Sequence, residues 1–212
     1  MNNIDIVSNT DVTWNEKVKL YKDIFWESPW NEWYLCDSCD SIYPKKFSGS
    51  CNCWDSQLSP FYKNRELKDN FRDLSLKWEY QELIAKILNN YIWFIWWWNT
   101  SLWDLNNDKL WLSELELENL SQEILGKYPD FDLSDFYYFA EVWVKNEFRW
   151  ENIAWELYKE NLQKLLDRWE KYILVRTTRK SDVPYKWFKN MWYEDVYLYE
   201  DEQDRVILVY KI

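Results

Sequence analysis

Glycine is nearly absent from this chain, with 2 in 212 residues, where average usage of about 7% gives roughly 15. Turns and helix ends that require positive φ must therefore be built from other residues. Also missing is any apolar run near the roughly 18 residues that cross a bilayer. The opening stretch "MNNIDIVSNTDVTW" has neither a basic region nor an apolar one, so no secretory signal is read there. Positive charge is in deficit, with 26 Lys and Arg against 37 Asp and Glu and a net charge of −11. The acids are scattered through every segment, which leaves no face to release counterions from a phosphate backbone. These absences predict a cytoplasmic protein with no nucleic-acid and no membrane partner. The negative surface favours solubility and, mildly, a cationic substrate. The length suits one main domain, as a monomer or a homodimer.

Tryptophan takes 18 places. The stretch "YIWFIWWWNTSLW", residues 91–103, read literally is an aromatic platform of the kind that binds carbohydrate. Position argues otherwise. Trp169 follows the last apolar turn of a helix and precedes a strand, where a left-handed glycine ordinarily ends the helix. Trp192 stands in the same place one helix later, and Trp78 at another helix-to-strand junction. Trp54 follows "CNC", where a metal-binding knuckle needs glycine. One cause covers all of them: a gene that encodes glycine by UGA, written out with a code in which UGA is tryptophan.

Apolar spacing predicts helices over residues 15–25, with Val18, Tyr21, Ile24 and Phe25 on one face, and over 65–77, with Leu67, Phe71 and Leu74 in register. Residues 80–88 and 91–98 read as antiparallel strands around Asn89 and Asn90. Ser113 and Glu116 form a capping box for a helix that Gly126 closes. A strand over 136–144, an amphipathic helix over 152–169 and a strand over 171–178 follow. A short helix with Pro184 in its first turn and a final hairpin, 193–199 with 205–212, complete a mixed α/β sheet domain.

Residues 34–62 differ in character. Cys36 and Cys39 form C-x-x-C, and Cys51 and Cys53 form C-x-C. Four thiolates at this spacing close a tetrahedral Zn2+ site, which would be structural because it leaves no open position for substrate. Two disulfides, or reduced cysteines without a ligand, are the alternatives.

With glycine allowed at the tryptophan positions, "FAEVWVKNEFRWENIAWELY" (139–158) reads "FAEVGVKNEFRGENIAGELY". It resembles the acetyl-CoA-binding motif of the GNAT superfamily of N-acyltransferases. "WFKNMWY" (187–193), read "WFKNMGY", resembles that family's second signature, and "ESPWNE" resembles some members. The resemblance implies a GNAT-like, mostly antiparallel twisted sheet flanked by helices over residues 1–32 and 62–212, with a zinc-ribbon-like insertion at 33–61. It implies acetyl transfer from acetyl-CoA to an amine on a small molecule or a protein. Val142, Trp143 and Val144 would run along the pantetheine arm where two strands splay apart. Arg149, Trp150, Glu151, Asn152, Ile153 and Ala154 would hold the pyrophosphate at a helix N-terminus, where unpaired N–H groups and the helix dipole attract anions. Asn152 replaces the motif's first glycine, and Asn is the next residue able to take unusual backbone angles. Glu141 is the candidate general base, although its side chain points to the face opposite Val142. Phe188 occupies the position of the family's thiolate-protonating Tyr, so Tyr185, one turn earlier, is the candidate acid. A second reading is a binding module that uses the zinc ribbon and a degenerate acyl-CoA fold without turnover.

Overall fold

The structure is a computed structural model that describes residues 4–8, 12–26, 32–39, 41–47, 51, 53, 58–87, 90–148, 152–180, 182–199 and 204–212. Its elements in chain order are β1 (Ile4–Ser8), α1 (Trp14–Phe25), β2 (Tyr34–Cys36), β3 (Ile42–Tyr43), β4 (Leu58–Pro60), α2 (Asn64–Ser75), β5 (Gln81–Ile87) and β6 (Asn90–Thr100). There follow α3 (Leu102–Leu105), a π-helical turn at Asn106–Leu110, α4 (Glu114–Lys127), β7 (Phe136–Val144), α5 (Ile153–Asp167), β8 (Tyr172–Thr178), α6 (Asp182–Asn190), β9 (Glu194–Leu198) and β10 (Arg205–Lys211). Seven strands form one mixed, mostly antiparallel sheet in the order β1-β5-β6-β7-β8-β10-β9, and β3-β2-β4 form a separate three-stranded sheet. The small sheet lies in the cysteine-bearing segment, where a zinc-ribbon-like insertion is expected.

Two compact units share these elements. The first comprises Met1–Leu76, Glu82–Ile95 and Val142–Leu157. Its helix α1 starts at a capping box between Thr13 and Glu16 and buries Val18, Leu20, Ile24 and Phe25. Tyr21 touches Phe25, Phe71 of α2 and Phe94 of β6, with ring centroids 4.3, 5.6 and 5.8 Å away. Each fully buried side chain of this size stabilises the fold by about 1.5–3 kcal/mol. One ion pair lies inside the same unit, Lys17 to Glu82 at 2.5 Å, with side chains only 4% and 2% exposed. Removing one partner of such a pair leaves an uncompensated buried charge.

The second unit comprises Lys77–Gln81, Trp96–Glu141 and Tyr158–Ile212. Its core is the buried stretches Phe136–Phe139, Tyr172–Val175 and Val206–Val209, with Leu120 and Ile124 of α4, Leu165 of α5 and Phe188 of α6. Ser113 and Glu116 do cap α4, but Gly126 lies inside that helix, which runs on to Lys127. Its φ is not positive and a side chain there would have open space, so Gly126 does not serve as the left-handed residue that ends a helix. Trp96, Trp97 and Trp98 continue β6 as buried residues, and the strand runs on through Asn99 and Thr100. The indole N–H groups of Trp97 and Trp98 find no hydrogen-bond partner among the described residues, an arrangement that costs about 1–3 kcal/mol for each buried donor.

The helix ends carry the signal that glycine normally gives. Trp169 has φ 63° and Trp192 φ 67°. In both places the N–H of the tryptophan bonds three residues back, and the next N–H bonds five back, Glu170 to Leu165 and Tyr193 to Phe188. That pairing is the Schellman motif, with tryptophan in the C′ position that glycine usually fills. Both side chains stand in solvent, 90% and 84% exposed, so no packing compensates the strain. Trp111, after the π-helical turn, has φ 55° as well. Trp78 does not fit the expectation: the left-handed residue of that junction is its neighbour Glu79, at φ 52°. Trp54 lies outside the described residues.

A left-handed conformation costs a non-glycine residue roughly 1–2 kcal/mol. Trp169→Gly and Trp192→Gly should therefore each stabilise the protein by about 1 kcal/mol, a rise in Tm of roughly 2–4 °C by calorimetry. Trp155→Gly, inside α5, should lower it by about 1 kcal/mol. The codon reading expects UGA at positions 169 and 192 of the gene, and UGG at both would end it.

Candidate functional site

The cysteines come together. The Sγ atoms of Cys36, Cys39, Cys51 and Cys53 all lie within 4.8 Å of one another, and none is in a disulfide. Neighbouring sulfurs are 3.6 Å apart for Cys36 and Cys53, 3.3 Å for Cys39 and Cys51, and 3.1 Å for Cys51 and Cys53. A tetrahedral ion with metal–sulfur bonds of about 2.3 Å sets its ligands about 3.8 Å apart, so small outward movements of the sulfurs would admit one. Cys36 ends β2, and its N–H is held by the carbonyl of Ser41 at 3.0 Å, which closes the first knuckle. The Tyr43 hydroxyl donates to the Cys51 sulfur at 3.0 Å, and the Cys53 N–H points at the same sulfur at 3.5 Å. With Tyr43 the larger influence, these donors pull the Cys51 thiol down to about 6, toward the thiolate that a metal requires. The arrangement is a closed cluster of four thiols able to hold one metal ion.

Strand β7 carries the second group of sequence-named residues. Its parallel pairing with β8 covers Tyr137 to Phe139, opposite Ile173 to Val175, while β7 itself continues to Val144. Val142, Trp143 and Val144 are half-buried. Within the first unit the end of the strand is fixed three times. The Lys145 N–H donates to the Ile92 carbonyl at 3.0 Å, Lys145 Nζ pairs with Asp23 of α1 at 3.0 Å, and the Trp143 ring meets Phe25 of α1 edge-on at 4.8 Å. Beyond it, Arg149, Trp150 and Glu151 lie outside the described residues.

Asn152 has φ 53°, and its carbonyl accepts from the N–H groups of Trp155 and Glu156 at 3.0 and 3.2 Å. It is therefore the residue on which the chain turns into α5. Ile153 is buried just inside the helix and Ala154 is half-buried, while Trp155, third in the helix, is 40% exposed. Such a start offers N–H groups and the positive end of a 15-residue helix to an anion.

The two catalytic candidates belong to the second unit. Glu141 is half-buried on β7, and its charge raises the pKa of Tyr138, a shift caused first by burial. The Tyr185 hydroxyl on α6 donates to Asp195 Oδ2 at 2.8 Å, and Lys189 holds the other carboxylate oxygen at 2.7 Å. Burial first, then Asp195, pushes the Tyr185 phenol above its ordinary range. Phe188 is buried between Phe139 and Tyr193, with ring centroids 5.7 and 5.1 Å away. Beside it the hydroxyls of Tyr158 and Tyr193 are hydrogen-bonded at 3.0 Å, a buried pair that sequence reasoning did not single out.

Sequence reasoning also missed a carboxylate in the first unit. The N–H of Glu32 bonds to the Phe25 carbonyl at 3.0 Å, and the Tyr62 hydroxyl donates to its carboxylate. Burial raises the Glu32 pKa, against the lowering effect of Tyr62. Glu32 closes the "ESPWNE" stretch, but its partner lies 30 residues away, across the cysteine segment.

No protein-family model matches this chain, and no curated protein does. Its likeness is to solved structures. The PaiA N-acetyltransferase of Thermoplasma acidophilum, solved with coenzyme A, aligns over 99% of each chain with a TM-score of 0.56 at 11% identity. A mosquito arylalkylamine N-acetyltransferase-like protein aligns over 99% of this chain and 100% of its own, at 0.60 and 13%. The ribosomal-protein-S18-alanine N-acetyltransferase of Escherichia coli aligns over 100% and 94%, at 0.54 and 8%. Identities this low establish architecture alone: the chain has the fold of the GNAT N-acetyltransferases.

Proposed function

We propose that the protein is an acetyl-CoA-dependent N-acetyltransferase, carrying an acetyl group from the CoA thioester to an amine. The observation that carries this reading is Asn152, a left-handed residue at the joint where β7 gives way to the N-terminus of α5. It stands where the resemblance asks for glycine, with the backbone angle that such a residue must supply. In the proposed complex the pyrophosphate sits on the first N–H groups of α5, within the loop 149–154. The pantetheine arm runs along Val142, Trp143 and Val144, past the point where the pairing with β8 stops. Glu141 takes the proton that the attacking amine must lose, directly or through water. Tyr185 would return a proton to the CoA thiolate only after releasing Asp195, so its role as acid is the weaker assignment. In the cysteine cluster we assign one Zn2+, bound by Cys36, Cys39, Cys51 and Cys53. Four thiolates and no open position make it a folding element for the small sheet rather than a reagent.

Isothermal titration should show acetyl-CoA binding, and a thiol-release assay with an amine acceptor should show turnover. Binding without release would favour a non-catalytic module, and the absence of binding would defeat the proposed site. Asn152→Gly should bind acetyl-CoA at least as well as the parent. Asn152→Val, which resists positive φ, should lose stability of about 1–3 kcal/mol and weaken binding at least tenfold. Elemental analysis of the purified chain should give one zinc per polypeptide. Cys51→Ser should abolish that stoichiometry and expose the small sheet to proteolysis, and an unchanged zinc content would refute the assignment.

A further inference from the structure

The acceptor side of the reaction is open in the reading above, and the first unit contains a group that the reading does not use. Glu32 is fixed at both ends, its N–H on the Phe25 carbonyl at 3.0 Å and its carboxylate under the Tyr62 hydroxyl. Phe25 also packs on Trp143, at 4.8 Å, on the strand segment assigned to the pantetheine arm. Two residues before Phe25, Asp23 pairs with Lys145, at 3.0 Å, at the end of that same strand. Two independent contacts therefore place the end of α1, and Glu32 with it, against the segment where the acyl group would arrive. The phenol that donates to the carboxylate belongs to a group of aromatic rings. The Tyr62 ring lies 5.7 Å from Phe25, 5.3 Å from Tyr21 and 4.6 Å from Phe61.

We infer that Glu32 is the acceptor-binding carboxylate of this enzyme, and that the acceptor is a monoamine whose ammonium is carried on an apolar, ring-sized body. This rests on the proposed acetyl transfer. A half-buried carboxylate with a phenol donor on one oxygen keeps acceptor capacity for a second donor, and an alkylammonium supplies up to three. Apolar rings beside it reward an apolar body and can approach a cation face-on. A polyamine would ask for several carboxylates, yet Asp23, the last acid of α1, already holds Lys19 at 2.7 Å as well as Lys145. Burial raises the pKa of Glu32, and an arriving ammonium would reverse that shift. The carboxylate is better satisfied with substrate than without it.

In the reaction the bound ammonium gives up one proton to a base or to water, and the neutral nitrogen attacks the thioester carbonyl. The new C–N bond forms as the C–S bond breaks, and the nitrogen releases its second proton as the departing CoA thiolate takes one up, so that the products are the amide and the free thiol. Glu32 binds before and after this exchange and takes no part in it, so its loss should appear in KM rather than kcat.

The experiment is steady-state thiol release with phenethylamine and with spermidine as acceptors, alongside titration of acetyl-CoA. Glu32→Gln should raise the KM for phenethylamine about 10–100-fold, the loss of a hydrogen bond to a charged group, with kcat within about threefold and the acetyl-CoA Kd unchanged. Tyr62→Phe keeps the ring and should raise the same KM about 2–5-fold, which carries the test should Glu32→Gln fail to fold. The parent should prefer phenethylamine to spermidine at least tenfold in kcat/KM. An unchanged KM in Tyr62→Phe and in any folded Glu32→Gln, or a preference for spermidine, overturns this inference while leaving acetyl transfer standing. If the parent neither binds acetyl-CoA nor releases thiol, it is the underlying reading that fails.

Discussion

Three joints between helix and sheet in the later part of the chain turn on one residue with a left-handed backbone: Asn152 into α5, Trp169 out of α5 and Trp192 out of α6. An α/β arrangement reverses direction at every such joint, and positive φ lets a helix stop and its last carbonyls be satisfied within two residues. The proposed chemistry depends on the same device, because the N-terminus of α5 is presented by Asn152. Where the left-handed residue opens a helix, backbone N–H groups face outward and a small polar side chain leaves them accessible. Where it closes one, solvent takes the side chain, and a bulky residue is tolerated only because it touches nothing.

The cysteine cluster follows a different logic. Short strands of three, two and three residues bury too little apolar surface to order a segment by themselves. The Cys36 N–H on the Ser41 carbonyl shapes the first knuckle, donors from Tyr43 and Cys53 meet the Cys51 sulfur, and a metal would supply the remaining free energy. The segment sits between Glu32 and Tyr62, so ordering it also brings those two residues to one another. A structural site can in this way bear on the carboxylate inferred to bind the acceptor.

Legibility from sequence tracked how local each cause is. The capping box at Ser113, the buried face of α1 and the aromatic strands β7 and β8 are set by neighbours within a few residues, and spacing disclosed them; the capping box at Thr13 is as local and was not picked out. The turns at Trp169 and Trp192 were visible because glycine has a fixed place after a helix. Trp78 misled by one residue, since α2 ends at Ser75 and the intervening turn places its left-handed angle at Glu79. Strand β1 escaped notice because its pairing with β5 joins residues about 80 positions apart, Ile4 opposite Ile87. The π-helical turn at Asn106–Leu110 escaped because its polar residues have no helical apolar face. Glu32 with Tyr62, and Tyr158 with Tyr193, are partnerships across long separations, which one sequence without relatives does not reveal.

The replacement at Phe188 bears on how the proposed transfer ends. A hydroxyl at that position would protonate the departing thiolate, but Phe188 offers none. The hydroxyls around it are otherwise engaged: Tyr158 with Tyr193, fully enclosed and with both phenols raised by burial, and Tyr185 with Asp195. Each holds its proton more tightly than an exposed phenol, which makes it a poorer acid. A thiol of pKa about 8.5 needs little assistance to leave as the thiolate, whereas the amine, charged at neutral pH, cannot attack until it loses a proton. The balance of need therefore lies on the acceptor side, where a carboxylate is required to receive a proton and another to hold the cation. As proposed, Glu141 takes the first role and Glu32 the second, and a net charge of −11 suits a cationic acceptor.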